Sequence, residues 1–362
     1  MNSLGLTTRD ILRLSPKFWD FHFDMISARD MTAFIVATIH LNLCIGTVAS
    51  YAEGRPDLQN ILDDLHSFKV CGEFMLTEVG HGLDARNLET RATLLDDGSF
   101  DLHSPSIDSA KAMPPTTPLA GIPRLAVVFA RLFVSGEDRG VKPFLVNINT
   151  ADGMVAGITS RALPIRPGTK PLDHSITVFD HVRIPPAALL GSMSKPANSR
   201  DEFLKQIWRV SVGTLSLSIM GVSAIKVGGY IAAKYSQART ITDSNSLGKV
   251  PIFTFKTCFE TLVYGEVLDV FARWTVSEFM KPVHDTNVRM GLATVFKTMV
   301  VRSSCLLKEL SERCGWQGLF SYNQFSELAL MFQGNSIAEG DTLVLSIRRC
   351  PWNRKFKTGR HV

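Results

Sequence analysis

The chain has 362 residues, 45% of them hydrophobic and 20% charged, with a formal net charge of +5. That length holds two or three domains with sizeable cores, and that apolar content excludes a disordered chain. The charge is spread along the chain except in Arg348-Arg349-Cys350-Pro351-Trp352-Asn353-Arg354-Lys355-Phe356-Lys357, a solvated basic tail, and no aromatic-basic repeat, helix-turn-helix pattern or zinc spacing points to nucleic acid.

Residues 1–72 read as helical. Thr7-Thr8-Arg9-Asp10 is a capping signal, with Ile11, Leu12 and Leu14 on the apolar side of the helix that follows. A longer helix, from about Ala28 to Tyr51, is apolar nearly all round and should be buried. His40 within it is expected to be packed and hydrogen-bonded. Gly54-Arg55-Pro56 ends that helix, and Pro56 opens a short one through Leu65. The first residues lack the apolar core of a signal peptide, and no stretch reaches the roughly 18 uninterrupted apolar residues of a membrane helix. Arg360-His361-Val362 is not a Ser-Lys-Leu type of address. Cys44, Cys71, Cys258, Cys305, Cys314 and Cys350 form no CxxC pair and read as buried thiols. The expectation is a soluble protein of the cytoplasm or peroxisome, with no membrane partner.

Residues 73–192 hold short runs of Val, Ile, Thr and Phe between turn residues, the pattern of a compact all-β domain. Its opening stretch, Glu73 to Thr90, stops an apolar run at Thr77-Glu78 and then flanks His81 with Gly80 and Gly82. A strand ending in such a loop lets backbone N–H groups approach a flat or anionic ligand, with the Thr77 hydroxyl at the same edge. A plain turn is the alternative. Residues 193–348 are helical again, in four segments: Phe203 to Ala238, Phe253 to Phe279, Asn287 to Cys314, and Asn323 to Arg348 with a break near Gly334. Their lengths suit an antiparallel bundle, and the many small residues of the first let helices pack closely. Residues 349–362 form the basic tail.

This order of helices, β domain and four-helix bundle resembles the acyl-CoA dehydrogenase and acyl-CoA oxidase superfamily. Leu76-Thr77-Glu78-Val79-Gly80-His81-Gly82 is similar to the LTExGHG motif of the oxidases. Leu102-His103-Ser104-Pro105-Ser106 with Lys111, Gly140-Val141-Lys142-Pro143-Phe144-Leu145-Val146, and Phe179-Asp180-His181-Val182-Arg183-Ile184-Pro185 resemble their later β segments. Tyr235-Ser236-Gln237-Ala238-Arg239, Cys314-Gly315-Trp316-Gln317-Gly318 and Ala338-Glu339-Gly340-Asp341-Thr342-Leu343 are similar to their bundle motifs. MPPTTP together with FWDFH points to the fungal oxidase-like group, associated with secondary metabolism.

The resemblance implies an α+β fold with an N-terminal helical domain, a barrel-like β domain and a C-terminal four-helix bundle. It implies FAD, an acyl-thioester substrate and a homodimer or homotetramer. Glu339 matches the catalytic base, and Gly340 gives a bend with an N–H near the substrate carbonyl. The alternative for Glu339 is a cap on the next helix. Leu76, Thr77, Gly80 and Gly82 match positions that contact the flavin, Arg239 the arginine that reaches its phosphates across a subunit interface, and Gly315 a loop near a neighbour's FAD. No metal is implied. Three positions depart from the family pattern. Met113 lies in the substrate-binding stretch Lys111-Ala112-Met113-Pro114-Pro115-Thr116, where a tryptophan normally stacks near the flavin. Trp316 replaces a glycine, and Ala338 a tyrosine. Set against the family pattern, the N-terminal helical domain is expected to be shortened and the oxidases' second C-terminal bundle to be missing. Alongside the acyl-thioester reading stand an FAD-dependent oxidation of an intermediate not bound to coenzyme A and a non-catalytic scaffold with a degenerate flavin site.

Overall fold

The computed structural model describes residues 5–82, 84–118, 121–165, 172–244, 247–255 and 259–349. The basic tail from Cys350 onward, with Cys258 and the side chain of Met113, lies outside them. The chain divides into two units: residues 5–18, 35–165 and 172–210 in one, and 19–34 and 211–349 in the other.

Helix α1 (Thr8–Arg13) opens with the expected capping box. The Asp10 N–H donates to Thr7 Oγ1 at 3.1 Å, and the Thr7 N–H donates to Asp10 Oδ2 at 3.0 Å. Helices α2 (Pro16–Phe23), α3 (Ile26–Arg29) and α4 (Met31–Thr38) follow. From α4 the chain continues into a π-helical stretch, Ile39–Ile45, and then α5 (Gly46–Ser50). The single helix read from Ala28 to Tyr51 is therefore interrupted. The π-helical stretch gives its buried polar residues separate partners. His40 Nδ1 accepts the Gly72 N–H at 2.7 Å, and its Nε2 pairs with the Leu65 carbonyl at 3.0 Å. Burial lowers its imidazole to about 4, so the ring is neutral and can do both. Asn42 and Arg209 exchange bonds through each other's carbonyls, at 3.0 and 2.9 Å. A Cβ on Gly46 would sit 2.1 Å from Arg209 Nε, so glycine there admits the buried guanidinium. Helix α6 (Pro56–His66) buries Leu58, Leu62 and Leu65.

The β region contains strands β1 (Cys71–Met75), β2 (Arg91–Leu94), β3 (Phe100–His103), β4 (Lys111–Pro115), β5 (Arg124–Val134), β6 (Glu137–Asn149), β7 (Ile158–Ala162), β8 (His174–Phe179) and β9 (Val182–Ile184). They form a six-stranded mixed sheet and an antiparallel sheet β4-β8-β7. Strand β5 pairs antiparallel with β6 along its length, so its other partners share the opposite edge. There β1 is parallel with Met75 opposite Val128, and β2 is parallel with Arg91 opposite Arg131. β1 and β2 thus occupy one strand line, and the glycine-rich loop is an excursion between its two halves. Phe100, Phe144 and Phe179 anchor the core of this region.

Helix α7 (Ser199–Gln206) leads to the long α8 (Trp208–Ala238), and the hairpin β10 (Thr240–Thr242) and β11 (Lys249–Pro251) follows. Then come α9 (Phe259–Met280), α10 (Thr286–Ser303), α11 (Cys305–Arg313), α12 (Phe325–Ile337) and α13 (Thr342–Arg349). The small residues of α8 do allow close packing: a Cβ on Gly221 would lie 2.3 Å from the Phe332 ring. The last expected segment does break, but not near Gly334, which is inside α12. The break is at Ala338–Asp341, where Glu339 has φ of 60° and Gly340 of 91°. Of the described cysteines, Cys44, Cys71 and Cys314 are buried, whereas Cys305 is exposed.

Among the described residues, three helical stretches are long and apolar enough to cross a membrane: Met31–Ser50, Trp208–Ala238 and Thr286–Arg313, with mean hydropathies of 1.7, 1.6 and 1.3. None of them is an uninterrupted apolar run, because each contains scattered polar residues. Their most apolar windows are 67%, 78% and 39% buried inside the protein, so packing already covers most of the first two.

Candidate functional site

The loop after β1 is organised by Glu78, whose side chain is fully buried. Its carboxylate accepts the N–H groups of Glu89 and Thr90 at 2.7 and 2.9 Å, the Thr90 hydroxyl at 2.6 Å, and Lys111 Nζ at 2.9 Å. Burial raises the carboxyl, but Lys111 and these hydrogen bonds outweigh it and hold Glu78 below the usual carboxylate range. Lys111 is equally buried and also donates to the Phe129 carbonyl at 2.7 Å. The loop backbone pairs with the segment leading into β4. Ala112 N–H donates to the Thr77 carbonyl at 3.0 Å, and Val79 N–H to the Ala110 carbonyl at 2.9 Å. His81 Nδ1 lies 3.0 Å from Glu78, inside the loop.

These contacts change the reading of one glycine. The Gly80 N–H is already donated to the Asp108 carbonyl at 2.8 Å, and a Cβ there would lie 2.8 Å from Asp108 Cβ. Gly80 is thus required by packing and does not offer a free donor. Gly82 is exposed, and a Cβ on it would meet open space. Leu76 and Thr77 are half-buried, and the Thr77 hydroxyl makes no hydrogen bond to a described residue. Met113 lies within β4, its backbone beside a register shift between Ala112 and Pro115. Just beyond it, the buried Thr116 hydroxyl meets those of Ser175 and Thr177, each at 2.6 Å.

Glu339 and Gly340 belong to the other unit. Glu339 sits between α12 and α13 in the left-handed region, which costs a non-glycine residue about 1 kcal/mol or more. The turn is held from two sides. Lys297 of α10, almost wholly buried, donates to the carbonyls of Ala338 and Gly340 at 2.5 and 2.6 Å. Thr214 of α8 donates to the Glu339 carbonyl at 3.4 Å. The Glu339 carboxyl rests against Gly213, where a Cβ would come within 2.5 Å of Oε1. Glu339 does not cap the next helix. Asp341 does, accepting the N–H groups of Leu343 and Val344 at 3.0 and 3.1 Å. The residue keeps some solvent exposure, but burial of its carboxyl raises it to about 8 against the opposing charge of Lys297.

In the same unit, Tyr235 packs against a small core of Ala232, Leu310, Cys314 and Phe325. This core brings the Tyr235–Arg239 and Cys314–Gly318 segments together. Arg239 is exposed just beyond α8, its backbone bonded to Tyr235 and Ile252. Gly315 has φ of 59° and open space around it. Trp316, in the glycine position, is 66% exposed and edge-on to Phe320. Sequence reasoning missed Lys297 and Gly213. Their signal, a lysine and a glycine in apolar helices, is indistinct without the fold.

Among the described residues, His103, Asp180 and His181 lie close enough to consider as metal ligands. The two imidazole rings stack at 3.9 Å with 11° between their planes. Parallel stacked rings cannot both point a lone pair at one ion, so the group is not preset as a coordination site.

No protein-family model matches the chain. A putative peroxisomal acyl-coenzyme A oxidase 1.2 of Arabidopsis thaliana is 26% identical over 307 residues, covering 77% of this chain and 46% of that protein. The crystal structure of acyl-CoA oxidase 1 of Yarrowia lipolytica superposes with a TM-score of 0.75 at 20% identity, covering all of this chain and 58% of the other. The chain is thus similar to acyl-CoA oxidases both in sequence and in fold. Its α+β fold is that of the acyl-CoA oxidases, as the motif order implied. A further oxidase structure, acyl-CoA oxidase-2 of Caenorhabditis elegans bound with FAD, ascaroside-CoA and ATP, gives a TM-score of 0.70 at 19% identity, covering 84% of this chain and 50% of that one. The chain spans about half the length of the curated acyl-CoA oxidases it matches.

Proposed function

We propose that this chain desaturates an acyl thioester at the α,β position, with Glu339 removing the α-proton. The observation that carries this reading is the Glu339 carboxyl, raised to about 8 in a turn fixed by Lys297. A carboxyl of that basicity exchanges protons near neutrality, as a general base must. The Gly340 N–H donates to the thioester carbonyl as negative charge develops there. FAD, when bound, supplies the hydride acceptor that no side chain provides.

The chain's residues fit such a cofactor. Leu76, Thr77 and Gly82 form its binding edge: the Thr77 hydroxyl has no described partner, and Gly82 leaves open space. Gly80 acts through loop shape. Arg239 and Gly315 complete the site of a neighbouring subunit in a homodimer or homotetramer. Oxygen as the final electron acceptor follows from the oxidase relatives, and the word peroxisomal in several of their names supports the peroxisome, with the cytosol as alternative.

Ala338 and Met113 favour a second reading, in which the same proton abstraction acts on a pathway intermediate without coenzyme A. The test is the purified protein. A yellow sample with a flavin spectrum, bleached by an acyl-CoA without oxygen, supports the first reading. A yellow sample that no acyl-CoA bleaches favours the second. A colourless protein that takes up no FAD overturns both and leaves the scaffold.

A further inference from the structure

Lys297 is a buried ammonium group with an unusual pair of acceptors. Only 1% of the residue is exposed, and Nζ donates to the two carbonyls that flank Glu339 in sequence. Glu339 and Gly340 both have positive φ, so this turn needs restraint. A lysine could be there simply to satisfy carbonyls left open at the end of α12. Two facts point further. The clamp brackets one residue, and that residue's carboxyl lies within electrostatic reach of the lysine's charge.

We propose that Lys297 is a positioning residue for Glu339, holding its turn through both flanking carbonyls and setting one positive charge within reach of its carboxyl. This rests on the reading of Glu339 as the base and adds the group that controls it. Burial pushes the Glu339 carboxyl up, and Lys297 pulls it down. Burial lowers Lys297 itself, and Glu339 and Asp341 oppose that change. Asp341, in the same turn, is the other charged group acting on the pair. Helix α8 contributes Gly213 and Thr214, neither of which titrates. Removing the charge while keeping hydrogen-bonding capacity should therefore raise the Glu339 midpoint and leave the turn in place. Removing both should also loosen the turn.

The experiment is an infrared titration of the full chain, reading the protonated carboxyl band lost in Glu339→Gln. It needs no flavin and no turnover. In the unaltered protein the midpoint falls near pH 8. In Lys297→Gln it moves up by roughly one unit or more, the effect of losing a nearby opposite charge. Lys297→Met gives the same shift and a broader band, and Lys297→Arg returns the midpoint toward that of the unaltered protein. If Lys297→Met does not fold, Lys297→Gln and Lys297→Arg carry the test. A midpoint in Lys297→Gln equal to that of the unaltered protein overturns the proposal. The base assignment is separated by turnover: if Glu339→Gln turns over acyl-CoA normally while the midpoint still shifts, the base reading fails and the coupling stands.

Discussion

Glu339 combines a strained backbone with a desolvated carboxyl, and each needs a neighbour. Lys297 restrains the backbone, and Gly213 makes room for the carboxyl. Three outcomes follow at this scale. Glu339→Gln should lower proton abstraction about 100- to 10,000-fold while flavin still binds, measured as substrate-dependent bleaching. The abstraction rate should rise with pH through a midpoint near 8, because only the carboxylate accepts a proton and burial raises that group to about 8. Gly213→Ala should slow abstraction at least tenfold, since the added methyl enters the space of Oε1. Helix propensity alone would make that variant about 1 kcal/mol more stable, so a melting temperature that does not rise locates the clash. Glu339 was legible because it sits in a local motif. Lys297 was not, because its acceptors lie 41 and 43 residues away and only the packed bundle joins them.

At the scale of elements, the loop between β1 and β2 is held from beneath by the buried Glu78–Lys111 pair. Lys111→Met leaves a carboxylate buried without its counter-ion and should cost about 3–5 kcal/mol in urea denaturation. Glu78→Leu combined with Lys111→Met should recover only part of that loss, because no unpaired charge remains but the Glu89 and Thr90 N–H groups lose their acceptor. The strands themselves were readable from their apolar runs and turn residues, and the first helix from its capping box. The shared strand line of β1 and β2 was not, because register on β5 is decided between segments distant in sequence. The π-helical stretch escaped for the same reason. What distinguishes it is where His40 and Asn42 find partners, in Leu65, Gly72 and Arg209. Gly80 was read as open to a ligand because sequence cannot show that Asp108 occupies that space.

For the whole molecule, α9 presents Val263, Val267, Val270 and Trp274 to solvent, each more than half exposed. Their spacing of four, three and four residues puts them on one helix face, an apolar stripe of the kind that subunit contacts cover. The chain should therefore sediment as an oligomer, and Val270→Glu with Trp274→Glu should shift it toward monomer without loss of helical circular dichroism. The order of helices, strands and helices was legible from composition and motif order, and the oxidase structures share it. The central claim is that Glu339 is the base of a flavin-dependent desaturation. Its most direct test mixes FAD-loaded protein with a saturated acyl-CoA in the absence of oxygen and follows flavin absorbance across pH. The unaltered protein should bleach with a rate rising through about pH 8, and Glu339→Gln should stay yellow. Bleaching of Glu339→Gln at the rate of the unaltered protein would contradict the account.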